Sequence, residues 1–356
     1  MPPARHHHRS VTEPFRGLTR SATALFTVAV TAKRPYPARE VTGRVESRCA
    51  TPSASIREVG SLTEHTVRTD VLEICYETGG PGGGPPVLLI HGWPDAPRGW
   101  HQVAARLQAA GWRTIAPYLR GSGPTRFRSA QTPRTGHGAS LAHDIIDLAD
   151  ALGLDRFPIV GHDWGARAAY TAAALFPERV TSIAALALAY QPRGVFAIPA
   201  FSQARAFWYQ WFLYSDAGAQ AVRDDPVAFA RVQWDTWSPA GWFDDAEFAA
   251  TAVSFANPDW AEITLNAYRD RFLPGEAHDP RYAGLERRLA DTEQVTRPTL
   301  MIQGCSDYCD EPASSADQDQ YFTGGYRRIV IEGAGHFPHR EAPAEVNAAV
   351  LAHLRG

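Results

Sequence analysis

The chain has 356 residues, 44% of them hydrophobic and 11% aromatic, enough to bury a large core in one domain or in a domain with an insertion. A formal net charge of -3 leaves no electrostatic footprint for nucleic acid or anionic lipid, so no nucleic-acid partner is expected. Four cysteines, Cys49, Cys75, Cys305 and Cys309, are too few and too scattered for a disulfide framework or a four-ligand zinc site, and no metal site is expected.

Residues 1–55 are rich in Arg, Pro, Ser and Thr and read as a disordered leader. Within them Arg16 and Arg20 precede an apolar run from Ser21 to Ala32, too short to span a bilayer. A basic start, a short apolar run and small residues also fit a cleavable targeting signal, which stands as the alternative to a cytoplasmic protein. No membrane span is expected.

From Glu64 to Thr78 apolar and polar residues alternate, as in two short strands joined by a turn. Val87-Leu88-Leu89-Ile90 is a continuous apolar run, the mark of a strand buried on both faces of a parallel sheet, and it leads into His91-Gly92-Trp93-Pro94-Asp95. A helix near Trp100 to Ala110, a strand Thr114 to Leu119, a helix Ser140 to Leu152, a strand ending before Asp163, a helix Ala166 to Phe176 and a strand Val180 to Tyr190 follow. Such alternation predicts an α/β, doubly wound, mostly parallel sheet. The rhythm breaks over residues 191–294, which lack strand signals and hold six of the ten tryptophans: Trp208, Trp211, Trp234, Trp237, Trp242 and Trp260. They read as an inserted helical lid whose inner face lines an apolar pocket, with most of the aromatics packing the lid onto the core. The core, residues 56–190 and 295–356, resumes with strands at Thr299 to Ile302 and Ile329 to Ile331 and ends on a helix from Ala344 to Leu354.

Three strand ends carry the chemistry. Pro158 to Val160 runs through Gly161-His162-Asp163-Trp164-Gly165 into an alanine-rich helix, the pattern of a strained strand-to-helix turn that lifts a nucleophile above the sheet edge. The nucleophile position holds Asp163. A carboxylate is already an anion at neutral pH, and it suits displacement at saturated carbon, leaving an alkyl-enzyme ester that water must cleave. Taken alone, Asp163 is also a good helix cap. Gln303-Gly304-Cys305-Ser306-Asp307 follows the next strand, with Asp310 a fallback acid, and Gly335-His336-Phe337-Pro338 follows the last. The order nucleophile, acid, histidine lets His336 act as base and Asp307 fix its tautomer.

With these motifs the chain resembles the α/β-hydrolase superfamily, and most closely its epoxide hydrolase branch, over about residues 60–356. The resemblance implies a cis bond before Pro94 and an oxyanion hole from the N–H groups of Trp93 and Trp164. It implies a substrate pocket bounded by Trp93, Pro94, Trp164 and Phe337. It also implies two lid tyrosines that hydrogen-bond the epoxide oxygen: the second is Tyr268, in Leu265-Asn266-Ala267-Tyr268-Arg269, and the first is Tyr209, in Phe207-Trp208-Tyr209-Gln210, with Tyr214 its competitor. The implied activity is opening of a small apolar epoxide to a vicinal diol with water and no cofactor. A haloalkane or haloacid dehalogenase shares the aspartate nucleophile and the tryptophan beside it, and Arg167, four residues after the nucleophile, is similar to a position in fluoroacetate dehalogenases. A non-catalytic binding protein on the same fold is the remaining alternative. Oligomeric state has no signature in the sequence.

Overall fold

The computed structural model describes residues 62–272 and 279–356. The expected leader, with its apolar run, lies outside them. Strands β1 (Thr63–Arg68) and β2 (Leu72–Gly79) pair antiparallel. The chain continues through β3 (Pro86–Ile90), α1 (His101–Ala109), β4 (Arg113–Pro117), the two-residue β5 (Arg126–Phe127), α2 (Gly138–Ala151), β6 (Phe157–His162), α3 (Trp164–Leu175) and β7 (Val180–Leu186). Seven helices come next: α4 (Phe201–Ala206), α5 (Trp208–Tyr214), α6 (Asp216–Asp224), α7 (Pro226–Thr236), α8 (Asp245–Ala252), α9 (Trp260–Arg269) and α10 (Ala283–Ala290). No strand interrupts them among the described residues. Then β8 (Thr299–Gly304), β9 (Tyr326–Ile331), α11 (Pro338–Glu341) and α12 (Pro343–Leu354) complete the core.

The nine strands make one sheet in the order β1-β2-β4-β3-β6-β7-β8-β9, with β5 paired to β2. From β4 to β9 every pairing is parallel. Alternation along β3 sends Leu88 and Ile90 into the core on one face and Val87 and Leu89 into the core on the other, so both faces need helices. Because β3 lies between β4 and β6, the chain leaves it to one side and returns on the other. A crevice opens outside the carboxyl ends of such strands, and the loops after β3, β6, β8 and β9 meet there.

Two expected strands stop short, for local reasons. The strand predicted through Tyr190 ends at Leu186, because Ala187 takes φ 59, a left-handed conformation that an extended strand cannot contain. The one predicted through Leu119 ends at Pro117, and the Leu119 N–H turns instead to His91 Nε2 at 3.0 Å. Among the described residues no helix is long and apolar enough to cross a membrane.

Candidate active site

Asp163 joins β6 to α3 with φ 49 and ψ -111, a conformation that costs a non-glycine residue strain. The turn is tight enough that a Cβ on Gly161 would lie 2.2 Å from the Gly165 carbonyl oxygen, and one on Gly165 would lie 2.0 Å from that of Ile90. Only glycine fits at either place. Although Asp163 heads α3, its side chain makes no cap hydrogen bond. Its Oδ1 instead accepts the Trp93 backbone N–H at 2.8 Å, so the carboxylate is turned away from the helix and toward the loop after β3.

That loop is held rigidly. His91 Nε2 accepts the Leu119 N–H, so its proton sits on Nδ1 and is donated to the Gly92 carbonyl at 2.8 Å. The Trp93–Pro94 peptide is cis. Buried Asp95 pairs with Arg340 at 2.5 Å and His339 at 3.2 Å. Burial alone would raise the Asp95 pKa, but these two partners outweigh it and hold the group far below the usual carboxylate range. Arg340 also bonds Glu247 on α8 at 2.6 Å, tying the helices inserted after β7 to the core. Of the two expected oxyanion donors, Trp93 reaches the Asp163 carboxylate, whereas the Trp164 N–H forms no hydrogen bond to it among the described residues.

His336 is fully buried, with Nδ1 3.0 and 3.1 Å from the two Asp307 oxygens and Nε2 3.8 Å from Asp163 Oδ2. Asp307 is itself fixed: Oδ1 accepts the Cys309 and Asp310 N–H groups at 2.9 Å each, and Oδ2 accepts Gln303 Nε2 at 3.0 Å. The loop carrying His336 is clamped from below by Glu341, which accepts the N–H groups of Gly335 and Phe337 and the Ser238 hydroxyl. His162 donates Nε2–H to the His336 carbonyl at 2.8 Å. Burial opposes charge on the His336 ring, yet Asp307 and then Asp163 prevail and push its pKa up to about 10. For Asp163 burial is likewise outweighed, by His336, His162 and the Trp93 N–H, and its pKa falls below the ordinary value. Both shifts favour the charged forms of the two groups, which face each other across 3.8 Å. Asp310, the fallback acid, turns elsewhere: its Oδ2 accepts the Ala189 N–H at 3.1 Å, and burial together with Asp307 pushes its pKa up to about 7.

Tyr209 on α5 and Tyr268 on α9 are both buried and meet edge to face, ring centroids 5.2 Å apart. The Tyr268 oxygen accepts the Trp164 indole N–H at 3.2 Å, and that of Tyr209 accepts Gln210 Nε2 at 3.1 Å. Each oxygen thus has a donor assigned to it, which leaves the O–H proton to be given away; Cys309 Sγ, at 3.8 Å, is a weak partner for Tyr209. Burial, and to a lesser degree Asp163, raises both pKa values, so both remain phenols. Tyr214 is 44% exposed and belongs to the surface.

Asp163, Tyr209 and Tyr268 share the wall of a cavity of about 360 Å³ with Leu188, Phe196 and Phe207. The predicted wall is different. Trp93, Pro94, Trp164 and Phe337 do not line this cavity, because their rings and carbonyls are spent on packing. Trp93 lies 5.6–5.9 Å from Trp164, Tyr209 and Trp260, Phe337 stacks 4.5 Å from Trp242, and the Pro94 carbonyl accepts the Trp234 indole N–H. None of the six tryptophans after Tyr190 lines it either: Trp234, Trp237 and Trp260 are core, while Trp208 and Trp211 are about 40% exposed. Sequence reasoning also missed Gln210, Gln303, Ser238, Glu341 and Arg271. Only Arg271, three residues beyond Tyr268 at helical spacing, carried a signal that would have found it.

Known proteins resemble this chain over most of its length. Residues 85–343 match the family model described as alpha/beta hydrolase fold. The chain is 36% identical over 301 residues to Epoxide hydrolase 1 of Siraitia grosvenorii, covering 77% of this chain and 93% of that one. It is 29% identical over 330 residues to Epoxide hydrolase A of Mycobacterium tuberculosis, covering 84% and 99%. A crystal structure from Klebsiella pneumoniae, 38% identical, matches with a TM-score of 0.77 over 82% of this chain and 97% of its own.

Proposed function

The chain belongs to the alpha/beta hydrolase fold family, and from that premise we propose that it is an epoxide hydrolase acting through an ester on Asp163. The observation that carries this reading is the placing of one carboxylate and two phenols on a single cavity, with Trp93 N–H on Asp163 Oδ1. Oδ2 is left to attack. As it bonds to an epoxide carbon, the ring C–O bond breaks and the departing oxygen takes a proton from Tyr209 or Tyr268. Oδ1, now the ester carbonyl, already lies in the place where a backbone donor stabilises the tetrahedral intermediate. Esterification also removes the Asp163 charge that helps His336 keep its proton. That proton passes through solvent to the tyrosinate, and the neutral imidazole then takes a proton from the water that attacks the ester carbonyl carbon and returns it to the departing diol oxygen.

The helices α4 to α10 act as the lid in this scheme, since they supply both phenols. A dehalogenase would use the Trp164 indole N–H to hold halide, but that N–H is engaged by Tyr268, which favours the epoxide. A cytoplasmic location fits the cysteines that are free among the described residues, Cys75, Cys305 and Cys309. The test is a single turnover of a styrene-type epoxide in H2-18O, with halide release from haloalkanes and haloacids measured beside it. The heavy oxygen should enter Asp163 and not the first diol. Label found in that diol and absent from Asp163 would rule out the ester.

A further inference from the structure

Two guanidinium groups stand in the same cavity wall as Asp163, and the reaction described above uses neither. Arg167 lies one turn into α3, its backbone N–H bonded to the Asp163 carbonyl at 3.0 Å. Among the described residues its guanidinium makes no hydrogen bond or ion pair, and its Nε is buried without a partner. Arg271 comes from just beyond α9. It donates Nη1 to Gln210 Oε1 at 3.0 Å and lies over the rings of Phe196 and Tyr268, 4.8 and 5.0 Å from their centroids, while its Nη2 is buried without a partner. Burial, and the like charge of Arg271, depress the Arg167 pKa to about 10, which still leaves it a cation at neutral pH.

The carboxylates that share the cavity do not neutralise this pair. Asp163 is committed to the Trp93 N–H and faces His336 Nε2 at 3.8 Å. Asp310 is bound to the Ala189 N–H, and burial together with Asp307 pushes its pKa up to about 7, so it is only partly ionised at neutral pH. Asp307 is bonded to His336 Nδ1 and does not line the cavity. Among the described lining residues two guanidinium groups thus face one committed carboxylate and one partly ionised one, and an unpaired buried charge is expensive unless an anion completes it. Much of the remaining wall, including Leu188, Val195, Phe196, Ile198 and Phe207, is apolar, and neutral side chains such as Gln203, Gln210 and Gln318 supply its other polar groups.

We propose that Arg167 and Arg271 form a carboxylate subsite, so that the substrate is an epoxide carrying a carboxylate on an apolar body. The guanidinium fork matches the two oxygens of a carboxylate, and the anchored acid would hold the epoxide against Asp163, Tyr209 and Tyr268. This inference rests on the epoxide hydrolase reading for the identity of the reacting group, but not for the anion.

The test compares 3-phenylglycidate with its neutral isostere 3-phenylglycidamide in diol formation, and cinnamate with cinnamamide in binding by calorimetry. Wild-type protein and the variants Arg167→Met and Arg271→Met are used, with Arg271→Lys as the variant that keeps the charge. Wild type should favour the glycidate by tenfold or more in kcat/KM and bind cinnamate more tightly than cinnamamide. Each methionine variant should lose about tenfold or more on the acids, mostly through KM, and stay within about threefold on the amides, as expected for loss of a charge-assisted pair. Lysine should restore part of the loss. Equal handling of acid and amide by wild type, which needs no variant to fold, overturns the subsite while any diol formed leaves the epoxide reading intact. Arginine-dependent binding of cinnamate with no diol from either epoxide keeps the subsite and overturns the epoxide reading.

Discussion

Asp307→Asn isolates the second half-reaction. Asp307 Oδ1 accepts the Cys309 and Asp310 N–H groups, so an asparagine keeps its oxygen there. Its amide nitrogen then falls where Oδ2 was, 3.0 Å from both His336 Nδ1 and Gln303 Nε2. Three donors would converge. His336 escapes by leaving Nδ1 bare and carrying its proton on Nε2, the nitrogen that must be free to take a proton from water. Gln303 escapes only by flipping its amide, which gives up a 2.9 Å hydrogen bond to the Asp310 carbonyl. The substitution also removes the largest of the influences that raise the His336 pKa. The ring becomes neutral in the wrong tautomer. Attack by Asp163 should survive, while hydrolysis of the ester should fall by about ten-thousandfold, the loss a triad suffers when its acid becomes an amide. Rapid quenching with styrene oxide followed by intact-mass spectrometry reads both steps, and one alkyl group per chain should accumulate on Asp163. Diol formation within tenfold of the parent, with no adduct, would refute this account of Asp307.

Tyr268→Phe and Tyr209→Phe should each slow ester formation by about a hundredfold or more, as loss of a general acid does, while the exposed Tyr214→Phe leaves it unchanged; equal effects of all three in single-turnover kinetics would contradict the assignment. Hydrolysis of the ester should rise with pH, because His336 must shed a proton that esterified Asp163 no longer helps it hold. Ester formation should stay flat from about pH 6 to 9, since Asp163 is held below its usual pKa and both phenols above theirs. An ester that breaks down more slowly as pH increases would count against His336 as the base. Gly165→Ala places a Cβ 2.0 Å from the Ile90 carbonyl oxygen and should cost about 1–3 kcal/mol as overpacking, read as a lower melting temperature; an unchanged melting temperature would show that the turn is looser than described.

The fold and the three strand ends were legible because they depend on short-range rules. Continuous apolar runs such as Val87 to Ile90 must be covered on both faces, so alternating strands and helices imply a parallel sheet, and a parallel sheet gathers the loops at its carboxyl edge. Asp163, Asp307 and His336 each follow such a run, and their local motifs hold turn glycines that mark where the chain bends. The cavity wall was not legible, because it depends on which of many interchangeable aromatics face inward. Nothing local distinguishes Trp93 and Phe337, which fill the core, from Phe196 and Phe207, which line the cavity. The same holds for charge: Arg167 stands out in the sequence only by its offset from the nucleophile, and only the folded chain brings Arg271, about a hundred positions later, to the same cavity. Spacing along the chain determined which chemistry is present, and packing across the chain decided what that chemistry faces.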